Sequence, residues 1–433
     1  MSDTALITPT LPDVIERRES RVRSYCRNWP TTFVSASGSW MVDNHAERYL
    51  DFFSGAGALN YGHNNPLLKA ALVDYLVSDG VLHGLDMATV AKAEFLEEFE
   101  STILTPRGLD YKVQFPGPTG TNAVEAALKL ARNITGRESV ISFTNAFHGM
   151  TLGSLAVTGN SMKRAGAGVP LVHSTPMPYD GYFDGATEDF HWMEKALDDE
   201  GGGLNRPAAV IVETVQGEGG VNVARGEWLR ALQKLCRDRD ILLIVDDVQM
   251  GCGRTGSFFS FEEAGIEPDI VTLSKSISGY GLPMALTLIR PHLDLWSPGE
   301  HNGTFRGNNA AFVTARSTLE HFWRTDEFST SVVRKGALLH SLLTELAHTD
   351  DQISIRGRGM VQGIVFEEPG RAAEVCRHAF ARGVLAETSG PKDEVVKLLP
   401  ALTMSDEQLH MGVSIIAAAM TETEGAGARV AAQ

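Results

Sequence analysis

The chain has 433 residues, of which 43% are hydrophobic, and a formal net charge of −16 at pH 7. Its length exceeds what one hydrophobic core serves and predicts two or three domains of an ordinary soluble globular protein. The acidic balance argues against nucleic-acid and anionic-membrane partners, because both bind clusters of Lys and Arg that no segment supplies. A small-molecule substrate is the expected ligand.

The four cysteines, Cys26, Cys236, Cys252 and Cys376, are widely spaced and form no CxxC or Cys/His ligand pattern. We therefore expect neither a disulfide framework nor a metal site, and a reducing cytoplasm is the default location. The beginning of the chain lacks a continuous apolar segment, and no apolar run approaches the ~20 residues that span a bilayer. The sequence thus predicts a protein that is neither exported nor embedded in a membrane.

The middle of the chain alternates between short apolar runs and helical patterns. The runs read KVQF, SVISF, AAVIVE, ILLIVDD, DIVTLS and ALTLI. In the segment NAVEAALKLAR, the apolar residues Val124, Ala127, Leu128 and Ala131 follow the spacing i, i+3, i+4, i+7 of one helix face. Alternating β and α segments predict an α/β fold with a doubly wound, mostly parallel sheet and helices on both faces.

The pattern changes after about residue 315. One long helical stretch, STLEHFWRTDEFSTSVVRKGALLHSLLTELA, leads to short strands in GMVQGIVF and VVKLLPA and to a final helix in SDEQLHMGVSIIAAAM. This order indicates a smaller C-terminal α+β domain. We predict a large domain over 61–318, a small domain over 319–425 with which residues 1–60 pack, and a disordered tail over 426–433. Neither end of the chain is expected to carry chemistry.

Asp246 and Lys275 each end a β-branched apolar run. Open α/β sheets bind ligands beyond the carboxyl ends of their strands, so both side chains are expected at one binding edge. A lysine in a dry crevice can condense with an aldehyde, and a buried carboxylate can keep a pyridinium nitrogen protonated. Pyridoxal phosphate requires these two groups. A lone lysine at a strand end is more often structural, so this interpretation depends on the neighbouring motifs.

The segment FPGPTGTNAVEAALKLAR places Gly117, Gly120 and Thr121 just before the predicted helix. Unpaired backbone N–H groups and the positive end of the helix dipole make this a site for a phosphate. An isolated glycine-rich turn of this kind is more often a plain capped turn. The nearby lysine and aspartate favour the phosphate site.

Two further strands are followed by polar or aromatic side chains. Phe147 and Gly149 follow SVISF, so the ring is a candidate for stacking on a planar cofactor or for the core. Glu213 and Glu218 follow AAVIV on a glycine-rich loop, where they are either solvated or part of a substrate or cofactor site. Their place at the carboxyl end of a strand favours the second interpretation.

The motif order GTNAVEAALKLAR, FHG, ETVQGEGG, DDVQMGCGRTG, SKSISG and GTFRGN resembles the class III pyridoxal-phosphate-dependent aminotransferases. The resemblance runs from about Asp51 to about Leu402. It implies the type I fold of pyridoxal-phosphate-dependent transferases and a homodimer, or a higher assembly of dimers, with shared active sites. The segments GAGALNYGHNNP and PGEHNGTFRGNNAAFVTA resemble members that move the amino group of L-glutamate to L-aspartate 4-semialdehyde, the entry to ectoine synthesis.

The resemblance also implies roles for residues around the cofactor. Lys275 matches the lysine that bonds covalently with it, Asp246 matches the partner of the ring nitrogen, and Gln249 matches the contact to the ring hydroxyl. Phe147 stands where the family often has Tyr, which keeps the stacking but loses a hydrogen bond. His148, in the same FHG motif, is included among the cofactor-binding residues.

The same matching reaches the phosphate and the substrate. Gly120 and Thr121 match the phosphate cradle, and Thr304 matches a threonine that reaches the phosphate of the other subunit. Glu213 and Glu218 match the two family glutamates, and Glu218 matches the one that gates the recognition of two different substrates.

One position departs from the family. Lys397 occupies the place where relatives commonly carry an Arg that pairs with the gating glutamate or binds the α-carboxylate of glutamate. Arg binds a carboxylate with two parallel hydrogen bonds, whereas Lys acts as a point charge. Arg306, where the family often has Gly, is a candidate to compensate for this difference.

Three alternatives stay open. Another class III enzyme acting on GABA, ornithine, acetylornithine or lysine would share every catalytic residue. A pyridoxal-phosphate aminomutase or decarboxylase would use similar parts without passing nitrogen to an external keto acid. An α/β binding or scaffold protein with an inert Lys275 would hold no cofactor.

Overall fold

The computed structural model describes residues 12–183 and 190–430, and of residues 424–430 it describes the backbone alone. No helix within this part of the chain is long and apolar enough to cross a membrane. The helices are α1 Asp13–Arg18, α2 Tyr25–Asn28, α3 Ser54–Gly57, α4 Pro66–Val77, α5 Val90–Phe99, α6 Gly120–Thr135, α7 Leu152–Ala156, α8 Ser161–Ala165, α9 His191–Asp198, α10 Gly226–Asp238, α11 Asn309–Phe322, α12 Glu327–Ala347, α13 Arg371–Ala381 and α14 Asp406–Val430.

Seventeen strands are present in the described residues. They are β1 Phe33–Ser37, β2 Trp40–Asp43, β3 Arg48–Asp51, β4 Lys112–Gln114, β5 Val140–Phe143, β6 Ser174–Met177, β7 Ala209–Val212, β8 Val215–Gln216, β9 Asn222–Val223, β10 Leu242–Asp246, β11 Ile270–Leu273, β12 Leu286–Ile289, β13 Ile353–Arg358, β14 Val361–Phe366, β15 Val384–Leu385, β16 Glu387–Ser389 and β17 Val395–Leu398.

The central sheet has seven strands in the order β4-β12-β11-β10-β7-β5-β6. β12 runs antiparallel to both of its neighbours, and the other paired strands are parallel. Along β7, Ala209 and Ile211 pack on the face that carries the apolar stripe of α6, whereas Val210 and Val212 pack on the opposite face with α10. The continuous apolar runs are therefore buried on both faces, and the predicted mostly parallel sheet is confirmed.

One edge strand of this sheet was not predicted. β6, with the sequence STPM, is only partly buried and contains Pro176. Proline lacks an N–H donor and is tolerated at a sheet edge, where one side of the strand has no partner. Such a strand leaves no apolar run in the sequence.

The C-terminal part forms a second sheet, antiparallel, in the order β13-β14-β17-β16, against which α12 and α13 pack. The single long helix predicted before it is two helices, because the chain turns between Phe322 and Glu327. The predicted boundary at residue 318 falls inside α11, which packs on α4 and α5. The final helix continues to Val430, into the segment predicted as a tail, and residues 431–433 lie outside the described residues.

The N-terminal residues join the C-terminal part through a small sheet, β1-β2-β3-β15. In it, Leu50 of β3 pairs with Val384 of β15 in parallel register. The rings of Tyr49 and Phe380 stack with centroids 5.0 Å apart. The ring of Tyr25 in α2 packs on Phe53, two residues beyond β3, with centroids 4.9 Å apart.

Candidate active site

The Asp246 carboxylate and Lys275 lie at the ends of two neighbouring strands of the central sheet. Asp246 ends β10, beside Thr272 of the parallel strand β11, and Lys275 follows two residues after β11 ends. The Thr272 hydroxyl and the Val248 N–H donate to Asp246 Oδ1 at 3.0 and 3.2 Å. His148 Nδ1 lies 2.7 Å from Asp246 Oδ2. The buried carboxylate is thus fixed through both of its oxygens.

A cavity of about 170 Å³ opens at this edge of the sheet. Nine of the predicted site residues line it: Gly120, Thr121, Phe147, His148, Glu213, Glu218, Asp246, Gln249 and Lys275. The predictions came from five separate motifs, and the fold brings these nine residues together.

Lys275 projects into the cavity from a strained backbone. Its φ is +48°, a value that is uncommon for residues other than glycine and is typical of functional sites. Its Nζ donates to the carbonyl of Ala56 at 2.9 Å. Burial lowers the pKa of Lys275, although the Glu218 carboxylate opposes the shift. The lysine is therefore closer to a neutral amine than an exposed lysine is.

The start of α6 forms one end of the cavity. Thr119 and Asn122 form a capping box, and the helix begins at Gly120 with backbone N–H groups that have no partner inside the helix. A Cβ at Gly120 would lie 2.8 Å from Val248 Cγ1, so a side chain there would crowd this wall. At Gly149, which has a φ of +128°, a Cβ would lie 2.5 Å from Thr121 Oγ1. This end suits an anion.

The aromatic and acidic residues form the side walls. His148 Nε2 is buried and has no hydrogen-bond partner among the described residues. Burial alone would lower the pKa of His148, but its contact with Asp246 outweighs burial and raises it. The Phe147 N–H donates to Glu213 Oε2 at 2.9 Å, and burial raises the pKa of Glu213 to about 8. His148 is therefore more easily protonated than an exposed histidine, and Glu213 favours its neutral form near pH 7.

A charge cluster closes the side that faces the second sheet. Lys397 Nζ, which is fully buried, lies 2.5 Å from Glu218 Oε1 and 3.0 Å from Glu387 Oε1. Gln249 Nε2 also donates to Glu218 Oε1, at 3.1 Å. Burial would raise the pKa of Glu218, but Lys397 and Lys275 lower it to about 2. Lys397 thus pairs with the predicted gating glutamate.

The sequence interpretation missed Glu387. Its strand, β16, pairs antiparallel with β17 so that Glu387 lies directly opposite Lys397. The signal was present in the sequence as one charged residue in each of two short, largely buried strands of the same sheet. Without the strand register, the two charges could not be paired.

Arg306 and Thr304 do not line the cavity of their own chain. Arg306 forms an ion pair with Asp86, donates to the carbonyl of His301 at 3.2 Å, and borders a different cavity of about 270 Å³. Within one chain, it therefore does not supplement Lys397 as hypothesised. Thr304 begins the short 3₁₀ turn that contains Arg306, and its contact across a dimer interface stays a prediction.

The fold and the site together define a class of protein. Residues 24–420 match the Aminotransferase class-III family, and the chain belongs to that family. The diaminobutyrate–2-oxoglutarate transaminase of Nocardia farcinica is 65% identical over 94% of this chain and 94% of its own length. The enzyme of the same name from Streptomyces anulatus is 63% identical over 96% of this chain and 99% of its own length.

Similarity to solved structures confirms the expected fold. The crystal structure of the ornithine aminotransferase from Toxoplasma gondii superimposes with a TM-score of 0.82 at 25% sequence identity. The match covers 95% of this chain and 94% of that one. The type I fold predicted from the motif order is therefore present over nearly the whole chain.

Proposed function

We propose that this chain is a pyridoxal-phosphate-dependent aminotransferase that moves the amino group of L-glutamate to L-aspartate 4-semialdehyde. The products are L-2,4-diaminobutyrate and 2-oxoglutarate. The observation that carries the proposal is the similarity to diaminobutyrate–2-oxoglutarate transaminases, which are 55–65% identical over nearly the full chain. In this chain, Lys275 and Asp246 face one cavity. In a cell that makes ectoine, this reaction would be the first step of that synthesis, in the cytoplasm.

The cavity residues fit pyridoxal phosphate. Lys275 would bond with its aldehyde, and Asp246 would pair with its ring nitrogen. The start of α6 at Gly120 and Thr121 would hold its phosphate. Gln249 Oε1, which is buried without a hydrogen-bond partner among the described residues, would accept from the ring hydroxyl. When bound, the cofactor withdraws electrons from the substrate carbon that carries the reacting nitrogen.

Three residues of the chain would carry the remaining steps of the reaction. Lys275, whose pKa is lowered by burial, would take a proton at Nζ from that carbon of glutamate. In the second half-reaction it would deliver a proton from Nζ to the carbon of the aldehyde substrate that gains the nitrogen. Asp246 would be held in position by His148 and Thr272, which contact its two carboxylate oxygens. Lys397, released from Glu218, would supply the positive charge for a carboxylate of glutamate.

We further propose that the chain works as a homo-oligomer. Leu67, Val73, Leu76 and Val77 of α4 and nearby Val81 are exposed apolar side chains, and they lie beside an open groove of about 1180 Å³. An apolar patch of this kind marks a protein interface. A second copy of the chain would cover it, and Thr304 of that copy would complete the phosphate site.

The substrate is tested by an assay of the purified, cofactor-loaded protein with glutamate and a panel of ω-aldehydes, in which 2-oxoglutarate is measured. We expect aspartate 4-semialdehyde to give the highest kcat/KM, and Lys275→Ala to abolish turnover with every aldehyde. A preference for succinic or glutamic semialdehyde would place the chain with GABA or ornithine enzymes and overturn the proposed substrate.

Three further readouts test the rest of the mechanism. Denaturant unfolding of Lys275→Ala checks that the variant is folded. Formation of the amine without consumption of glutamate would indicate an aminomutase or decarboxylase instead. Failure of the wild-type protein to absorb as a cofactor complex would favour a binding protein in which Lys275 is inert.

A further inference from the structure

The short element α3, Ser54–Gly57, has the opposite hand to an ordinary helix. Its four residues all have positive φ, from +47° at Ser54 to +83° at Gly57. Gly55 and Ala56 also have positive ψ, of +44° and +36°. Residues other than glycine rarely adopt this conformation, and then singly rather than in a run. The turn is therefore strained, and such strain persists where surrounding contacts enforce it, commonly at functional sites.

This left-handed turn contacts the lysine that lines the cavity. Lys275 Nζ donates to the carbonyl of Ala56 at 2.9 Å. Gln249 Nε2 donates to the same carbonyl at 3.0 Å, which its two lone pairs allow. The hydroxyl of Ser276 donates to the carbonyl of Gly57 at 2.8 Å. The turn thus contacts both the tip of the Lys275 side chain and the residue that follows Lys275 in the chain.

The carboxylate of Asp51 fixes the start of the turn. Asp51 ends β3 and is 1% exposed, and its Oδ1 accepts the N–H groups of Phe53 and Ser54, each at 2.8 Å. Its Oδ2 lies 2.7 Å from His63 Nε2. Hydrogen bonds to a charged acceptor are about twice as strong as those between neutral groups. Asp51 therefore holds the turn firmly, although it does not itself line the cavity.

The orientation of the Lys275 amine matters for the reaction. A neutral amine takes a proton through its lone pair, which points away from its N–H bonds. A carbonyl that accepts one of these N–H groups limits the directions in which the lone pair can point. Proton transfer requires a close and aligned donor and acceptor, and a misplacement of about 1 Å can slow a reaction by about 100-fold. A fixed Ala56 carbonyl would keep Nζ in one orientation.

We propose that Asp51 is a positioning residue for the reaction, which acts by holding the left-handed turn whose Ala56 carbonyl orients the Lys275 amine for proton transfer. This inference rests on the proposed function, because the proton is the one that Lys275 moves in each half-reaction. Asp51 lies before the predicted large domain. A segment that was expected only to pack against the small domain thus also supports the catalytic geometry.

Single turnovers of the cofactor-loaded protein with L-glutamate, and with L-glutamate deuterated at Cα, test the effect on the reaction. Asp51→Ala removes the acceptor of both N–H groups. We expect its maximal rate to fall by about 10- to 100-fold, while the half-saturating concentration of glutamate stays within about twofold of wild type. The isotope effect should be at least as large as in wild type, because proton transfer is the step that slows. Asp51→Asn keeps an acceptor oxygen and should recover most of the rate.

Hydrogen–deuterium exchange of the cofactor-free protein tests whether Asp51 holds the lysine segment. Asp51→Ala should speed exchange by about 10-fold or more in peptides that cover residues 52–60 and 273–279, since both depend on the turn. Ser276→Ala is a smaller change that tests the same link if Asp51→Ala does not fold. It removes only the contact to Gly57, and we expect its maximal rate to fall by about 3- to 10-fold. An unchanged rate in Ser276→Ala would contradict the role of the turn.

Asp43 provides a matched control in the same small sheet. It ends β2, is 2% exposed, and its Oδ1 accepts the N–H groups of His45 and Glu47, each at 2.9 Å. Asp43→Ala should keep the single-turnover rate and the slow exchange of residues 273–279. Equal rate losses in Asp43→Ala and Asp51→Ala, or unchanged exchange of 273–279 in Asp51→Ala, would overturn this inference alone.

The wild-type protein separates this inference from the proposed function. Absence of any turnover with glutamate would overturn the proposed function and, with it, the role in proton transfer. Exchange in the cofactor-free protein would still decide whether Asp51 holds the segment that carries Lys275.

Discussion

The two walls of the cavity are built in different ways. On the wall formed by the central sheet, Asp246 and Lys275 lie at the ends of adjacent parallel strands. Their partners are the Thr272 hydroxyl, the His148 ring and the Ala56 carbonyl. On the opposite wall, Glu218, Lys397 and Glu387 come from a loop and from two antiparallel strands, and their main polar partners are one another.

The difference suggests that the first wall serves the catalytic steps and the second wall serves substrate recognition. The first wall keeps its geometry as long as the sheet is folded, which suits groups that act in every turnover. The second wall is a balance of two carboxylates against one ammonium, so a charged substrate can take the place of one partner. The residues that act on the cofactor thus lie at rigid strand ends. The residues that select the substrate are charged side chains whose ion-pair partners a substrate can replace.

Removing the cation from the second wall should have the largest effect on stability. Lys397→Met would leave Glu218 and Glu387 buried without a counter-charge, and we expect a loss of about 3–5 kcal/mol in the free energy of unfolding at pH 7. Lys397→Arg keeps the charge and should lose much less. Urea unfolding measures both, with exposed Lys392→Met as the control. Equal losses for Met and Arg would show that packing, rather than charge, holds this wall together.

A change on the first wall should affect the rate more than the stability. Asp246→Asn keeps the shape of the side chain and the acceptor for Thr272 but removes the charge opposite the cofactor ring. We expect the single-turnover rate with glutamate to fall by about 10²- to 10³-fold, as when a preorganised electrostatic contact is lost.

The neighbouring aspartate provides a matched control for this experiment. Asp247 is fully buried, accepts from the Ser260 N–H at 3.0 Å and does not line the cavity. Asp247→Asn should therefore change the rate little while disturbing a carboxylate that is equally buried. Similar rate losses in the two variants would indicate a general effect on the strand end and contradict the assigned role of Asp246.

The first wall could be predicted from the sequence because its signals are local. The apolar run before Asp246 gives a strand buried on both faces, and the side chain after such a run lies at the binding edge. The same reasoning placed Lys275, Glu213 and the glycine-rich start of α6. Each of these predictions needed only one short segment of sequence: a predicted strand or helix and the residues at its end.

The second wall could not be predicted in this way because its contacts join distant segments. Glu387 and Lys397 face each other through the register of β16 and β17, and Tyr25 approaches from more than 360 positions away in the chain. The role of Arg306 was inferred from charge type and motif position, and within one chain Arg306 pairs with Asp86. Charge complementarity alone does not fix a partner when the strand register is unknown.

The smallest expected effect is a pH dependence that originates at Glu213, which lies between the two walls. Burial raises the pKa of Glu213 to about 8 from its ordinary value near 4.5, so the folded cofactor-free chain keeps this proton over a range where the unfolded chain loses it. The resulting contribution to stability is complete below pH 4.5 and declines as pH rises to about 8. Glu213→Gln removes this dependence and keeps an acceptor for the Phe147 N–H.

The free energy of unfolding of the cofactor-free protein, measured from pH 5 to pH 9, tests this expectation. The variant should gain stability relative to wild type as pH rises, and the difference should level off above about pH 8. The exposed control Glu200→Gln should give a curve parallel to wild type. A parallel curve for Glu213→Gln would mean that Glu213 is ionised in the folded chain at neutral pH. Glu213 would then belong with the exchangeable charges of the second wall.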